Sequence, residues 1–297
     1  MAILLSSEIL DTLHHELQSA DESVQIISAY CKEKTIERLD NMIPQTVDNR
    51  KLMVRFRMED VVKGSTDFGA VEYCLSNGWE VFFRFDLHIK TYIVDGKRGI
   101  VGSANATNTG LSISKSPNLE MATLVDMDPK DIIKIEKLYN QAIKVDSSLM
   151  ETMKTELSNV SPKESNDSLS WSKEITNRFN PIVETLFSHE LPDTDKIDGY
   201  LSFLDLSNTG NVDEIKNAFR WSTSYLWLLQ TVKNHGGEMY FGELSSELHN
   251  AIVSDPKPYR KDVKALLANL LSIAEILSMD EVIIDRPNHS QRVRLAK

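Results

Sequence analysis

The sequence predicts an α/β fold, a mixed sheet flanked by helices, over residues 1–145, and a mainly α-helical domain over 175–297. Two observations lead to the first half of that reading. Strand-like apolar runs alternate with helix-spaced segments, which is the rhythm of a sheet covered by helices. One stretch, His88 to Asn105, also packs polar groups between alternating apolar residues, as a half-buried hairpin would. For the second half, the order helix, short strand, helix, long helix, β-hairpin over 221–297 predicts a winged helix.

In chain order, Ser7 caps a helix over 7–19 with Ile9, Leu10, Leu13 and Leu17 on one side. Val24–Ala29 reads as a buried strand, and Ile36, Leu39 and Ile43 mark the next helix. Leu52–Arg57 is the second strand. Asp67 to Asn77 follows as a helix closed by Gly78, a residue common just past helix ends. Trp79–Phe85 leads into two strands, Lys90–Val94 and Gly99–Gly102, joined at the hairpin-turn pair Asp95-Gly96. Met121–Val125 adds a strand, and a helix from Asp128 to Val145 closes the domain.

Residues 146–174 are rich in Ser, Asn, Lys and Glu and read as a linker that could hold one polar helix. Residues 175–220 carry no legible pattern. Beyond them Trp221, Tyr225, Leu228, Leu229 and Val232 form a helical stripe that ends at His235-Gly236-Gly237. Glu238–Phe241 is a short strand and Glu243–Val253 a helix. Val263 to Leu277 is a long helix, and Val282–Asp285 and Gln291–Leu295 form a hairpin through the turn 286–290.

The chain has 297 residues, 41% hydrophobic and 26% charged, which suits globular domains and excludes a disordered chain. No apolar run reaches the roughly 18–20 residues of a membrane helix. The start lacks a secretory leader, so a cytoplasmic protein is expected. Two cysteines, Cys31 and Cys74, read as buried thiols rather than a disulfide or zinc framework. The net charge of −11 gives nucleic acid no global attraction, but 215–297 holds 11 Lys+Arg against 9 Asp+Glu, so a local basic surface can exist there.

The chemistry concentrates in His88, Lys90, Ser103 and Asn105. A His and a Lys two apart on a strand project to one face, and a turn at Gly102–Asn105 brings hydroxyl and amide donors beside them. A nucleophilic or proton-shuttling imidazole among a fixed cation and amide donors suits phosphoryl transfer. No nearby carboxylate cluster would hold magnesium, and no Gly-rich Lys-Ser/Thr loop would hold a nucleotide, which favours a metal-independent reaction without a cofactor.

The spacing His88-x-Lys90, four residues, Asp95, six residues, Gly102-Ser103-x-Asn105 resembles the complete signature of the phospholipase D superfamily. The resemblance covers about residues 1–145. It implies that His88 is the nucleophile of a phosphohistidine intermediate, that Lys90 and Asn105 bind the phosphoryl oxygens, and that Ser103 supports them. Asp95 is expected beyond the site, pairing with or holding the hairpin. Glu120 resembles the acidic residue that orients the catalytic His. None of His14, His15, His189, His235, His249 and His289 begins a second copy of the motif. The resemblance therefore implies a homodimer whose shared site pairs two copies of His88, with a nearly inactive monomer.

Single-motif members resemble bacterial nucleases, including restriction endonucleases with a separate DNA-binding domain. The expected function is a DNA endonuclease of restriction or phage-defence type. A phospholipid or nucleotide phosphodiesterase is the alternative, as is a nuclease subunit whose C-terminal domain docks a regulatory protein such as an ATPase. Candidate DNA contacts are Lys257, Arg260, Lys261 and Lys264 at the long helix and Arg286, Arg292 and Arg294 on the hairpin. Arg55, Arg57 and Lys63 could instead line the active site.

Overall fold

A computed structural model describes residues 3–160, 169–204, 206, 211–287 and 290–296. The described residues form two compact units, one of 3–160 with 169–179 and one from 180 onward.

The first unit runs β1 (Ile3–Leu5), α1 (Ser7–Gln18), β2 (Ser23–Ser28), α2 (Glu33–Asp40), β3 (Asn49–Arg55), α3 (Met58–Val62), α4 (Phe68–Ser76), β4 (Glu80–Arg84), β5 (Lys90–Val94), β6 (Arg98–Gly102), β7 (Met121–Asp126), α5 (Pro129–Asn140), β8 (Ile143–Lys144), α6 (Ser147–Ser158) and α7 (Lys173–Thr176). Its eight strands form one sheet in the order β1-β7-β6-β5-β2-β3-β4-β8. Only β2, β3 and β4 are parallel to one another, so the sheet is mixed. The apolar stripes do what their spacing requires: Ile9, Leu13 and Leu17 of α1 and Ile36 and Leu39 of α2 are fully buried. Asp67 caps α4 by accepting from Ala70 N–H at 3.0 Å, and Gly78 follows the helix at φ +79°. Asp95 and Gly96 turn at φ +53° and +61°, and Lys97 N–H donates to the Val94 carbonyl at 3.0 Å.

Several boundaries differ from the sequence reading, and the N-cap of α1 is Ser6, without a side-chain capping bond, while Ser7 is the first helical residue. Strand β3 begins at Asn49 because parallel pairing with Ser23 of β2 extends it backward, and Arg57 already stands before α3. Helix α5 stops at Asn140 instead of running to Val145. Ile143 fits helix and strand spacing equally, and pairing of β8 with the edge of β4 decides for the strand. The expected linker carries α6, whose Leu149, Met150 and Met153 are buried, and Trp171, whose indole N–H donates to the Phe56 carbonyl and whose ring stacks on Phe56. This polar stretch packs on the first unit because a few large apolar side chains suffice, and the units part between Phe179 and Asn180.

The second unit contains a 3-10 turn (Ser188–Glu190), α8 (Ile197–Phe203), α9 (Val212–Arg220), α10 (Thr223–Asn234), β9 (Glu238–Tyr240), α11 (Phe241–Ala251), α12 (Arg260–Ile276), β10 (Val282–Asp285) and β11 (Arg292–Leu295). Its strands form an antiparallel sheet, β10-β11-β9. Leu228, Leu244, Leu248, Leu267, Leu270 and Val293 belong to its core. Trp221 lies outside the stripe assigned to it, because Ser222 caps α10 by accepting from Tyr225 N–H and so starts the helix at Thr223. In the 286–290 turn, Asn288 and His289 lie outside the described residues. No helix among the described residues is long and apolar enough to cross a membrane.

Candidate active site

The site forms where the carboxyl ends of β2 and β3 meet the amino end of β5, with Ser28 in register with both Val54 and Lys90. The edge of a sheet past its parallel strand ends is a common place for ligands, because loops can diverge there. His88 is exposed one residue before Ile89, whose carbonyl accepts from Ala29 N–H at 3.1 Å. Lys90 is buried within the strand, and its ammonium reaches back to donate to the His88 carbonyl at 2.7 Å. Burial, together with the charges of Lys90, Arg55 and Arg57, lowers the pKa of His88 below its ordinary value. Lys90 is lowered too, first by burial and then by Arg55, with Glu120 opposing the shift.

Asn105 arrives on the turn after β6. Gly102 is required at its root, since a Cβ there would stand 2.4 Å from the Met121 carbonyl oxygen. The Asn105 Oδ1 accepts from Tyr30 N–H at 3.1 Å and, at 3.3 Å, shares the single hydroxyl proton of Ser28 with the Tyr30 carbonyl. With its oxygen so engaged, the amide turns its Nδ2 donor toward other groups. Ser28 Oγ also donates to the Tyr30 carbonyl at 2.6 Å and accepts from Ala106 N–H at 2.9 Å, which ties the turn to β2.

Ser103 and Glu120 form a separate pair at the edge of this group. The Ser103 hydroxyl donates to Glu120 Oε2, while Asn118 Nδ2 donates to Oε1 at 3.0 Å. Among the described residues no hydrogen bond joins Glu120 to His88, so the carboxylate expected to orient the imidazole instead holds Ser103 and acts on Lys90 by charge. Asp95 lies seven residues from His88 at the far end of β5, on the order of 20 Å away at strand spacing. It accepts from the N–H groups of Asp21, Glu22 and Ser23 at 2.8–3.3 Å, so it pins the hairpin to the start of β2. Burial alone would raise its pKa, but these three donors and Lys97 outweigh burial and lower it.

Arg55 and Arg57 stand close enough for their charge to act on His88. Arg55 is held by two 2.8 Å bonds to Asp60, by the Tyr30 hydroxyl, and by stacking 4.9 Å from the Tyr30 ring centre. Arg57 Nε donates to the Phe85 carbonyl. Lys63 is solvent-exposed and pairs at 3.8 Å with Glu59 one helical turn away, whose other oxygen lies 3.6 Å from Arg57. Tyr30, Ser28 and Asp60 were missed by sequence reading. Their signal was positional, since Ser28 and Tyr30 lie where β2 ends beside the expected site.

In the second unit Arg260, Lys261, Lys264 and Arg286 are exposed, as is Lys257. Arg292 and Arg294 differ: both donate to the Asp285 carboxylate at 2.9 Å, and Arg292 also pairs with Glu238 at 3.3 Å. The hairpin arginines thus neutralise carboxylates of their own sheet.

Residues 13–143 match the family model described as cardiolipin synthase, PLD-like domain. No curated protein matches the chain. Among solved structures, Nuc, a phospholipase D family member from Salmonella typhimurium, shares 19% identity over 49% of this chain and 97% of its own, with a TM-score of 0.39. NucT from Helicobacter pylori shares 19% identity over 47% of this chain and 92% of its own, with a TM-score of 0.34. Phosphatidylserine synthase from Haemophilus influenzae Rd KW20 shares 11% over 53% of this chain and 44% of its own, with a TM-score of 0.40. The family match falls within the first unit, over the elements that carry His88, Lys90 and Asn105.

Proposed function

We propose, from the premise that residues 13–143 are a PLD-like domain, that the protein is a metal-independent DNA endonuclease of restriction or phage-defence type, acting as a homodimer. Support for the reading comes from His88 beside the Lys90 ammonium and the charges of Arg55 and Arg57, with the Asn105 amide held by its oxygen on the end of β2 that is in register with Lys90. In the reaction, neutral His88 attacks phosphorus and forms a phosphorus–nitrogen bond as the bond to the leaving oxygen breaks. The leaving oxygen takes its proton from His88 of the second copy. That imidazole then removes a proton from water, which attacks phosphorus, releases the phosphate product and restores His88. Lys90 and the Asn105 Nδ2 stabilise the charge on the phosphoryl oxygens throughout.

The C-terminal unit is read as a winged helix that contacts DNA. Support comes from the order α10, β9, α11, α12, β10, β11, from its three-stranded sheet, and from the exposed bases around the start of α12. A second reading, action on a phospholipid, is favoured by the description of the matching family model. The deciding experiment is cleavage of plasmid DNA by the purified chain in EDTA, beside phospholipid vesicles. EDTA-resistant cutting that is lost in His88→Ala supports the proposal. Cutting restored only by added magnesium, or hydrolysis confined to the vesicles, overturns it.

A further inference from the structure

Arg55 is the last residue of β3, and its guanidinium is held beyond the end of the sheet. Nε and Nη2 donate to the two oxygens of Asp60 at 2.8 Å, Nη2 also donates to the Tyr30 hydroxyl, and the group stacks on the Tyr30 ring. Both partners lie past the strands, Tyr30 two residues after β2 and Asp60 inside α3, so the side chain points off the end of the sheet. The buried Asp60 carboxylate needs a cation, and a lysine would supply one. The arginine offers more. Its Nη1 donates to no group among the described residues and is not buried, so both N–H groups on that nitrogen face solvent. Val54, one residue earlier, is in register with Ser28, and Ser28 with Lys90, which sets the backbones of β3 and β5 roughly 10 Å apart at this end. Two long side chains span that gap, and the charge of Arg55 acts on both His88 and Lys90. Tyr30 joins the groups: its backbone N–H holds the Asn105 oxygen, while its hydroxyl and ring hold Arg55.

We infer, resting on the reading of His88, Lys90 and Asn105 as a phosphodiesterase site, that Arg55 is a third group binding a non-bridging oxygen of the reacting phosphoryl, through Nη1. Asp60 and Tyr30 are its positioning residues. The phosphoryl oxygens gain charge as the nucleophile adds, and a guanidinium already fixed by a carboxylate and a phenol meets that charge without reorganising. Lys90 supplies a point charge on a flexible stem and Asn105 a neutral donor. The planar fork of Arg55 adds direction, because the edge committed to Asp60 fixes where the other nitrogen aims.

Binding of inorganic phosphate to the full chain, followed by NMR of labelled His88, is measured beside cleavage of an oligonucleotide in EDTA. Arg55→Lys keeps the positive charge and a cation for Asp60 but has no second nitrogen to offer. It is expected to keep a folded protein while weakening phosphate binding about 10-fold and lowering kcat about 100-fold. The double variant Arg55→Met with Asp60→Leu removes the pair without leaving a buried charge alone, and the same losses are expected of it. Asp60→Asn leaves Arg55 present on a weaker hold and is expected to lower kcat with KM little changed, as a positioning role requires. Phosphate binding and cleavage that survive in both Arg55 variants, while Lys90→Met weakens them, overturn the role of Arg55 and leave the reading of the site standing. A wild type that neither binds phosphate nor cuts a diester overturns that reading and this inference together.

Discussion

The side-chain oxygen of Asn105 accepts the backbone N–H of Tyr30 at 3.1 Å, and this bond decides which end of the amide is left to meet a ligand. Asn105→Asp keeps the acceptor but replaces the Nδ2 donor with a second carboxylate oxygen that repels an anion. It is expected to lower kcat/KM about 100- to 1000-fold with little change in Tm, measured on an oligonucleotide substrate. Ser28→Ala strips the buried Ala106 N–H of its acceptor and is expected to cost about 1–3 kcal/mol in denaturant unfolding. An Asn105→Asp enzyme of undiminished kcat/KM would show that the amide donor is not used.

The imidazole of His88 titrates below the ordinary 6.5, first because burial penalises its charged form and then because Lys90, Arg55 and Arg57 repel the added proton. The neutral form therefore persists to lower pH, and the acid limb of the rate profile lies below 6.5. NMR titration of labelled His88 is expected to show Lys90→Met moving its midpoint upward toward that value. The sign for stability is the reverse of an ion-paired histidine. The unfolded chain takes up its proton first, so this group withdraws stability as pH falls through the ordinary value.

Asp95 belongs to the motif by spacing but to the scaffold by position. Asp95→Ala removes the acceptor of three backbone N–H groups and is expected to cost about 2 kcal/mol, while kcat stays within a few-fold once the protein is folded. Because its folded pKa is lowered, its contribution is present above the ordinary value of 3.8 and is lost as pH falls through the folded one. A large fall in kcat with unchanged Tm would place it in the chemistry instead.

The two groups of C-terminal bases are expected to separate in a salt titration of DNA binding. Replacing Arg260, Lys261 and Lys264 with Gln weakens binding and lowers the salt slope by roughly 0.9 for each phosphate that is no longer neutralised. Replacing Arg292 and Arg294 leaves the Asp285 carboxylate unpaired in its sheet and lowers Tm first. That carboxylate is held down at about 2 by the two guanidinium groups.

Much of the first unit was legible because helix and strand periods are local properties. Ile9, Leu13 and Leu17 announce α1 by spacing alone, Asp67 and Gly78 bracket α4, and Asp95-Gly96 can hardly be read as anything but a turn. The candidate site could be singled out for a similar reason, since His88, Lys90, Gly102 and Asn105 occupy fixed intervals within eighteen residues. β8 was not legible, because only pairing with β4 makes Ile143 a strand residue, and neither was the docking of Trp171 on Phe56, 115 residues away.

The sequence by itself determined which chemical groups the chain can bring to the candidate site and which elements carry them. Tertiary structure decided what those groups are free to do. It gave the Asn105 oxygen to Tyr30, Glu120 to Ser103, Asp95 to the start of β2, and the hairpin arginines to Asp285. The physical reason is that a hydrogen bond or ion pair is set by distance in space, and nothing in the order of residues records that Asn105 will lie beside Tyr30.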